Sequence, residues 1–198
     1  MDERLAALDS HPHIEVRLFN PFTQRDWRWV GYLTDFGRLN RRMHNKSITA
    51  DDRVSIVGGR NMGDEYFGAG QDVSFVDMDV LATGAVVPQV SADFDRYWSS
   101  ASAYPVASLL PAAPPQALDR MTKSADALAR SPSAAPYVAA LKQSTFIKQL
   151  VASELALEWT TVRLVSDDPA KGLGQAKSET LVPQRLREVL GQPTRELL

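Results

Sequence analysis

His44 and Lys46 stand two residues apart in Met43 to Thr49, a run that reads as a strand. Residues two apart on a strand share a face, so the spacing presents an imidazole and an ammonium side by side. An imidazole, with an ordinary pKa of about 6.5, is largely neutral at pH 7 and can attack an electrophile. A neighbouring ammonium can hold a phosphate and offset charge developing on its oxygens. Thirteen residues after Lys46 the chain reaches Gly59, followed by Arg60 and Asn61. Glycine lets a backbone approach a ligand closely, and the Asn61 carboxamide can donate an N–H to a phosphate oxygen. These are the residue types that phosphoryl transfer uses. A His and a Lys two apart also occur on any solvated strand, so the pair alone does not separate a site from a polar face.

The elements that would position these residues follow from hydrophobic period and turn chemistry. Ile14 to Phe19 alternates as a strand, and Asn20-Pro21 stops it. Asp26 to Gly37 is dense in apolar side chains; Trp27, Trp29, Tyr32 and Phe36 are expected in the core, with contact to lipid as the alternative. Met43 to Thr49 and Val54 to Val57 read as a hairpin around a tight turn at Ala50 to Arg53, ending in Gly58-Gly59. A strand is expected over Val76 to Ala82 and a helix over Ser91 to Trp98. Beyond Ser99 the chain is rich in Ala, Ser and Pro, with helices expected over Gln116 to Arg130 and Tyr137 to about Trp159. A strand at Thr161 to Val165, a turn at Ser166 to Pro169 and a last helix at Pro183 to Leu190 complete the reading.

Composition removes several classes of function. The chain has 198 residues with 44% hydrophobic and 23% charged, an ordinary globular balance. It has no cysteine, which excludes disulfide frameworks and thiol catalysis, and its three histidines make a multi-histidine metal site improbable. No metal and no cofactor are expected. Lys and Arg total 22 against 24 Asp and Glu, so no basic field calls for nucleic acid. The charge is uneven: Phe36 to Ala50 has no acid but carries Arg38, Arg41, Arg42 and Lys46, whereas Asp51 to Ser100 has nine acids against three arginines. Arg41 and Arg42 could draw anionic headgroups, or lie on a solvated strand edge. No apolar run approaches the roughly 18 residues of a membrane span, and Met-Asp-Glu-Arg is no signal-peptide start. The expected location is cytoplasmic or peripheral on the inner membrane.

The spacing taken whole is more specific than the pair. His44-x-Lys46, four residues, Asp51, six residues, then Gly58-Gly59-x-Asn61 resembles the signature of the phospholipase D superfamily. Arg38 to Lys46, Gly58 to Phe67, Asp77-x-Asp79-Val80-Leu81, Phe94 to Trp98 and Asp167 to Lys171 resemble the bacterial cardiolipin synthases of the C type. The resemblance implies an α/β fold, one half of a phospholipase D-like fold with a mixed β-sheet flanked by helices. It implies a phosphodiesterase or transphosphatidylase that works through a phosphohistidine, with phospholipids as substrates at a membrane surface. In that scheme His44 is one of two histidines, and Lys46 and Asn61 grip the phosphate beside Gly58 and Gly59. Asp77 falls where a carboxylate orients the histidine, with Asp79 as the nearby substitute. Asp51, in the turn, fixes the hairpin and the local charge pattern rather than touching substrate.

The family's full enzymes carry two such motifs and this sequence carries one; neither His11 nor His13 has the flanking residues of a second. The chain is therefore expected to be truncated at both ends relative to a whole enzyme and to need a second motif-bearing half or a homodimer partner. The expected organisation is residues 1–112 as the motif-bearing half, 113–160 as an Ala/Pro-rich helical segment and 161–198 as a connection toward a second half. The function expected is phosphatidyl transfer that makes cardiolipin. Its rivals are a single-motif dimeric nuclease, which the acidic stretch disfavours, and a catalytically silent chain that binds phosphate or a partner.

Overall fold

The structure, a computed structural model, describes residues 1–22, 28–63 and 77–191. Trp27, Val76, the side chain of Tyr32 and the Asp64–Phe67 part of the motif lie outside the described residues. The chain is mixed α/β, consistent with a phospholipase D-like half domain, and divides into two compact units.

One unit joins Met1–Val16 to Leu110–Thr161. Its helix α1 (Asp2–Asp9) packs on α4 (Ala117–Ala129) through the buried Ala6, Ala7 and Ala117, with an Arg120–Glu3 ion pair at 2.8 Å. The single helix expected from Tyr137 to Trp159 is instead α5 (Ala135–Gln143) and α6 (Thr145–Val151). Ser144 causes the break. Its backbone is extended (φ −56°, ψ 121°) and its hydroxyl accepts the Ile147 N–H, so it caps a new helix rather than continuing the old one. Ser153, at φ 58°, stands just past the end of α6.

The other unit joins Arg17–Leu109 to Val162–Leu198 and contains the motif. Strand β1 (Arg17–Phe19) pairs antiparallel with β5 (Ala103–Pro105). Strands β2 (Lys46–Ala50), β3 (Val54–Gly58) and β4 (Asp79–Thr83) form a second antiparallel sheet with β3 in the middle. Strand β2 begins at Lys46, not Met43, because its partner β3 ends opposite it at Gly58 and leaves nothing to pair with earlier residues. The hairpin turn is where expected. Asp51 and Asp52 take positive φ of 52° and 53°, a conformation that Asp tolerates better than most residues, and the Arg53 N–H donates to the Ala50 carbonyl at 3.0 Å.

Helix α3 (Val87–Trp98) covers one face of this sheet. It starts four residues before the expected Ser91, since Pro88 falls in the first turn, where a missing N–H costs nothing. Val87, Val90 and Tyr97 turn inward and are buried, against a sheet face on which Ser55 is fully buried and bonds Thr49 at 2.8 Å. Asp52 accepts a hydrogen bond from Ser91 at 2.5 Å and ties the hairpin turn to α3. Helix α7 (Val182–Leu190) agrees with the reading, whereas Thr161 to Val165 forms no strand. Leu164 and Val165 instead line a cavity beside α3.

The lead into the motif is set by Asn20. It takes a positive φ of 47°, and its N–H donates to Ser102 at 2.8 Å. Its carboxamide Nδ2 donates to the carbonyls of Gly172 at 2.8 Å and Arg41 at 3.0 Å, with a longer contact of 3.4 Å to that of Arg38. Helix α2 (Arg28–Leu39) therefore ends at a point held from β1, and the chain leaves it toward His44 in a defined direction. Replacing Asn20 with Ala should strand buried carbonyls and strain the backbone, at a cost of about 2–4 kcal/mol. Urea unfolding of Asn20→Ala checks this, and a loss well below 1 kcal/mol would show that the carboxamide is dispensable.

Candidate active site

His44 and Asn45 precede β2 in irregular chain, and Lys46 opens the strand. Asn45 and Lys46 both line a cavity that Tyr97 of α3 also borders. His44 is exposed, and Lys46 is half-buried with its Nζ donating to the His44 carbonyl at 2.9 Å. Among the described residues the His44 ring has no hydrogen-bond partner.

The register of the sheet brings the other motif residues to the same face. Lys46 stands directly opposite Gly58, and Gly58 directly opposite Asp79. A Cβ on Gly58 would collide with the Asp79 carboxylate, and one on Gly59 with the Asp77 carboxylate. The two glycines are required because two carboxylates lie over them. Arg60 donates from Nε to Asp79 Oδ2 at 2.8 Å and from Nη2 to the Asp77 carbonyl at 3.1 Å, clasping the end of β3 to the start of β4. Asp77 Oδ1 accepts the Met78 N–H at 2.8 Å, and among the described residues no bond joins the Asp77 carboxylate to His44. Asn61 is exposed in the following turn, where its carbonyl accepts the Gly63 N–H. Asp51 is in the hairpin turn, at the far end of β2 from Lys46.

Arg41 and Arg42 are both exposed, and Arg41 lays its guanidinium against Gly174, which has a φ of 73° and no room for a side chain. The aromatic cluster departs from the expected core: Trp29 and Phe36 are 59% and 57% exposed, and Leu33 between them is 77% exposed. Trp29 and Leu33 are four residues apart on one side of α2, and the non-helical backbone of Asp35 (φ −139°, ψ 28°) kinks the helix before Phe36. Among the described residues no helix is long and apolar enough to cross a membrane, and no group of three His, Cys, Asp or Glu could hold a metal ion.

No family model and no solved structure matches this chain. Among proteins, cardiolipin synthase C of Escherichia coli strain K12 is 49% identical over 201 residues, covering 100% of this chain and 41% of that protein. The chain is a cardiolipin synthase-like member of the phospholipase D superfamily. Cardiolipin synthase A of Pseudomonas fluorescens is 35% identical over 89 residues, 43% of this chain and 18% of its own length. An uncharacterized protein of Helicobacter pylori strain 26695 is 39% identical over 107 residues, 53% and 21% of the two chains. The chain thus spans less than half the length of each curated relative it matches.

In this cardiolipin synthase-like chain a cavity of about 390 Å³ adjoins the motif, with Lys46, Gly58, Met43, Val57, Phe94 and Trp98 in its wall. Burial raises the pKa of the Tyr97 hydroxyl, although the Asn45 hydrogen bond opposes the shift; the hydroxyl donates to the Asp167 carbonyl at 2.9 Å. Asp167 accepts the Val182 N–H at 2.7 Å and pairs with Lys171. Asp168 caps the 3-10 turn Pro169–Leu173 by accepting the Ala170 N–H. The Asp167–Lys171 motif, which showed only a turn in sequence, thus anchors α7 and the Tyr97 hydroxyl of α3. Desolvation raises the Asp167 pKa, but the bonds from Lys171 and Val182 outweigh it and leave the carboxyl below its ordinary value. A lowered folded pKa contributes stability above the unfolded value of about 3.9, and that contribution is lost as pH falls through the folded value. Asp167→Asn should therefore cost about 1–2 kcal/mol at pH 7, with the deficit shrinking below about pH 4. Denaturant melts of both proteins from pH 7 to 2.5 measure it, and a pH-independent deficit would contradict the ionic origin.

Proposed function

We propose that this chain supplies one half-site for phosphatidyl transfer between phospholipids, the reaction that makes cardiolipin. The observation that carries the reading is the match along the whole chain to a cardiolipin synthase. The geometry supports it: an exposed imidazole lies two residues before an ammonium that opens a strand, and the cross-strand neighbour of that lysine is a glycine. In this mechanism an imidazole nitrogen of His44 attacks phosphorus and the P–O bond to the departing alcohol breaks. That alcohol takes a proton from a second histidine, on a complementing half or a partner copy. The same histidine then accepts the proton of an acceptor lipid hydroxyl as its oxygen displaces His44 from phosphorus. Lys46 and Asn61 hold the non-bridging oxygens, Gly58 and Gly59 admit the phosphate, and Asp77 supports the histidine. The substrates are lipids, which puts the working enzyme at a membrane surface, on the cytoplasmic side. Arg41 and Arg42 attract anionic headgroups there, and no metal takes part.

A second reading, binding of phosphate or a partner without turnover, is favoured by one observation. Neither Asp77 nor Asp79 bonds the His44 ring among the described residues. Substitution separates the two. In the chain complemented by a second motif-bearing half, His44→Ala should abolish cardiolipin formation and phosphoenzyme, a loss of at least about 10²–10⁴-fold. Lys46→Ala should lower kcat by about 10²–10³-fold. Activity should survive chelation by EDTA. Turnover unchanged by His44→Ala, in a lipid assay read by mass spectrometry, would refute the proposal.

A further inference from the structure

We infer that the helix pair α5–α6 is a docking surface that lies in the interface of an anionic phospholipid bilayer. The inference goes beyond the proposed transfer reaction, shares only the membrane with it, and depends on neither His44 nor Lys46. It starts from burial. Neither helix has a buried residue, although both are rich in apolar side chains. Tyr137 and Leu141 are four residues apart on α5; on α6 Phe146 and Leu150, and Ile147 and Val151, are also four apart. Each helix therefore carries an apolar stripe. The exposure of these six side chains runs from 37% at Ile147 to 81% at Val151. Charge is the second observation. Between Asp126 and Glu154 the sequence has no acid but has Arg130, Lys142 and Lys148, in a chain whose net charge is −2. Arg130 has Asp126 at 3.9 Å, and among the described residues the two lysines have no acidic partner. Lys142 follows Leu141 and Lys148 follows Ile147, so each ammonium borders its stripe instead of lying opposite it.

This chemistry selects the partner. A protein face covering the stripes would have to supply carboxylates for the lysines, and lysine is depleted at the cores of protein interfaces. An anionic bilayer supplies both requirements. Apolar side chains enter the boundary of headgroups and acyl chains to a depth of about 5–10 Å, while lysine stems extend to the phosphates. The Tyr137 ring, apolar with a polar tip, suits the same level. At about 1.5 Å per residue α5 and α6 are about 14 and 11 Å long, far short of a hydrocarbon core of about 30 Å. They lie in the interface and do not span it. The Ser144 break has a purpose here. In one uninterrupted helix the stripe of α6 would be turned about a third of a turn from that of α5. The extended backbone of Ser144 removes that fixed rotation and lets the two short helices meet one surface.

The test floats the full chain with vesicles made of equal parts phosphatidylcholine and phosphatidylserine, and with phosphatidylcholine vesicles alone. Binding to the mixed vesicles should be at least about tenfold tighter, and should weaken at high salt. Each basic residue near an anionic surface contributes about fivefold, so Lys142→Gln with Lys148→Gln should weaken binding by about 10–30-fold. Phe146→Ser with Leu150→Ser should weaken it at least about tenfold with an unchanged thermal melt, because both side chains are exposed. Leu33→Ser, an exposed apolar residue of α2, should change nothing, and neither should Lys46→Ala. Absence of binding to the mixed vesicles, or binding indifferent to both double substitutions, overturns the inference. So does a self-associated species that Phe146→Ser with Leu150→Ser dissociates in the absence of vesicle binding, which would assign the face to a second copy of the chain. Vesicle binding lost in Lys46→Ala moves the contact to the phosphate site, overturning the role of α5–α6 and leaving the proposed function standing. Vesicle binding that follows the double substitutions, in a chain whose complemented form makes no cardiolipin, overturns the proposed function and supports the docking surface.

Discussion

The carboxamide of Asn20 joins parts of the chain that are far apart in sequence. A single Nδ2 reaches the carbonyls of Arg41 and Gly172, with Arg38 at longer range, while the Asn20 backbone N–H is spent on Ser102. Backbone carbonyls at the end of a helix need partners when buried, and here they take them from a neighbouring strand instead of water. The path from α2 into Met43–Lys46 follows from that connection. Gly172 also has to come close: a side chain there would meet the Phe19 ring and the Ser102 hydroxyl at 2.9 Å. The distant Asp167–Lys171 motif and the strand before the site are thus parts of one packing arrangement.

A second constraint acts through α3. The Tyr97 hydroxyl is held by the Asp167 carbonyl, and Asp167 by Val182 and Lys171. The helix that covers one face of the sheet is therefore tied to a segment 70 residues farther along the chain. The other face of the sheet leaves Ile48 and Ile56 exposed.

That face combines two unlike properties. Its upper row holds Lys46, Gly58 and Asp79; the next row holds Ile48, Ile56 and Leu81, with Ile48 58% and Ile56 41% exposed. An apolar row beside a charged one suits a site whose ligands have a phosphate and a hydrocarbon part, and it equally suits burial against another protein surface. The charges themselves are in a resting arrangement, Lys46 on a carbonyl and Arg60 on Asp79, so binding an anion requires exchange of partners rather than capture by a free cation.

The hairpin was readable from residue types because its causes are local. Alternation marks Lys46–Ala50 and Val54–Gly58, two aspartates tolerate the left-handed turn, and the glycines end the strand where carboxylates press on it. The same holds for α4 and α7, whose apolar spacing and flanking prolines lie within one or two turns. The motif spacing named the family for a similar reason, since the order of residue types from His44 to Asn61 is read without reference to the rest of the fold. Other features depend on partners that no local pattern encodes. Asn20-Pro21 reads as a strand stop, and only packing makes it a junction. Thr161–Val165 has strand composition, but among the described residues no strand pairs with it. Trp29 and Phe36 look like core, yet α2 turns them outward. Asp79 and Arg60 become a pair because β3 and β4 meet in one register, across a gap of 19 residues that spacing alone leaves undetermined. Local backbone preference is carried by each short segment, whereas pairing and burial depend on which distant segment arrives.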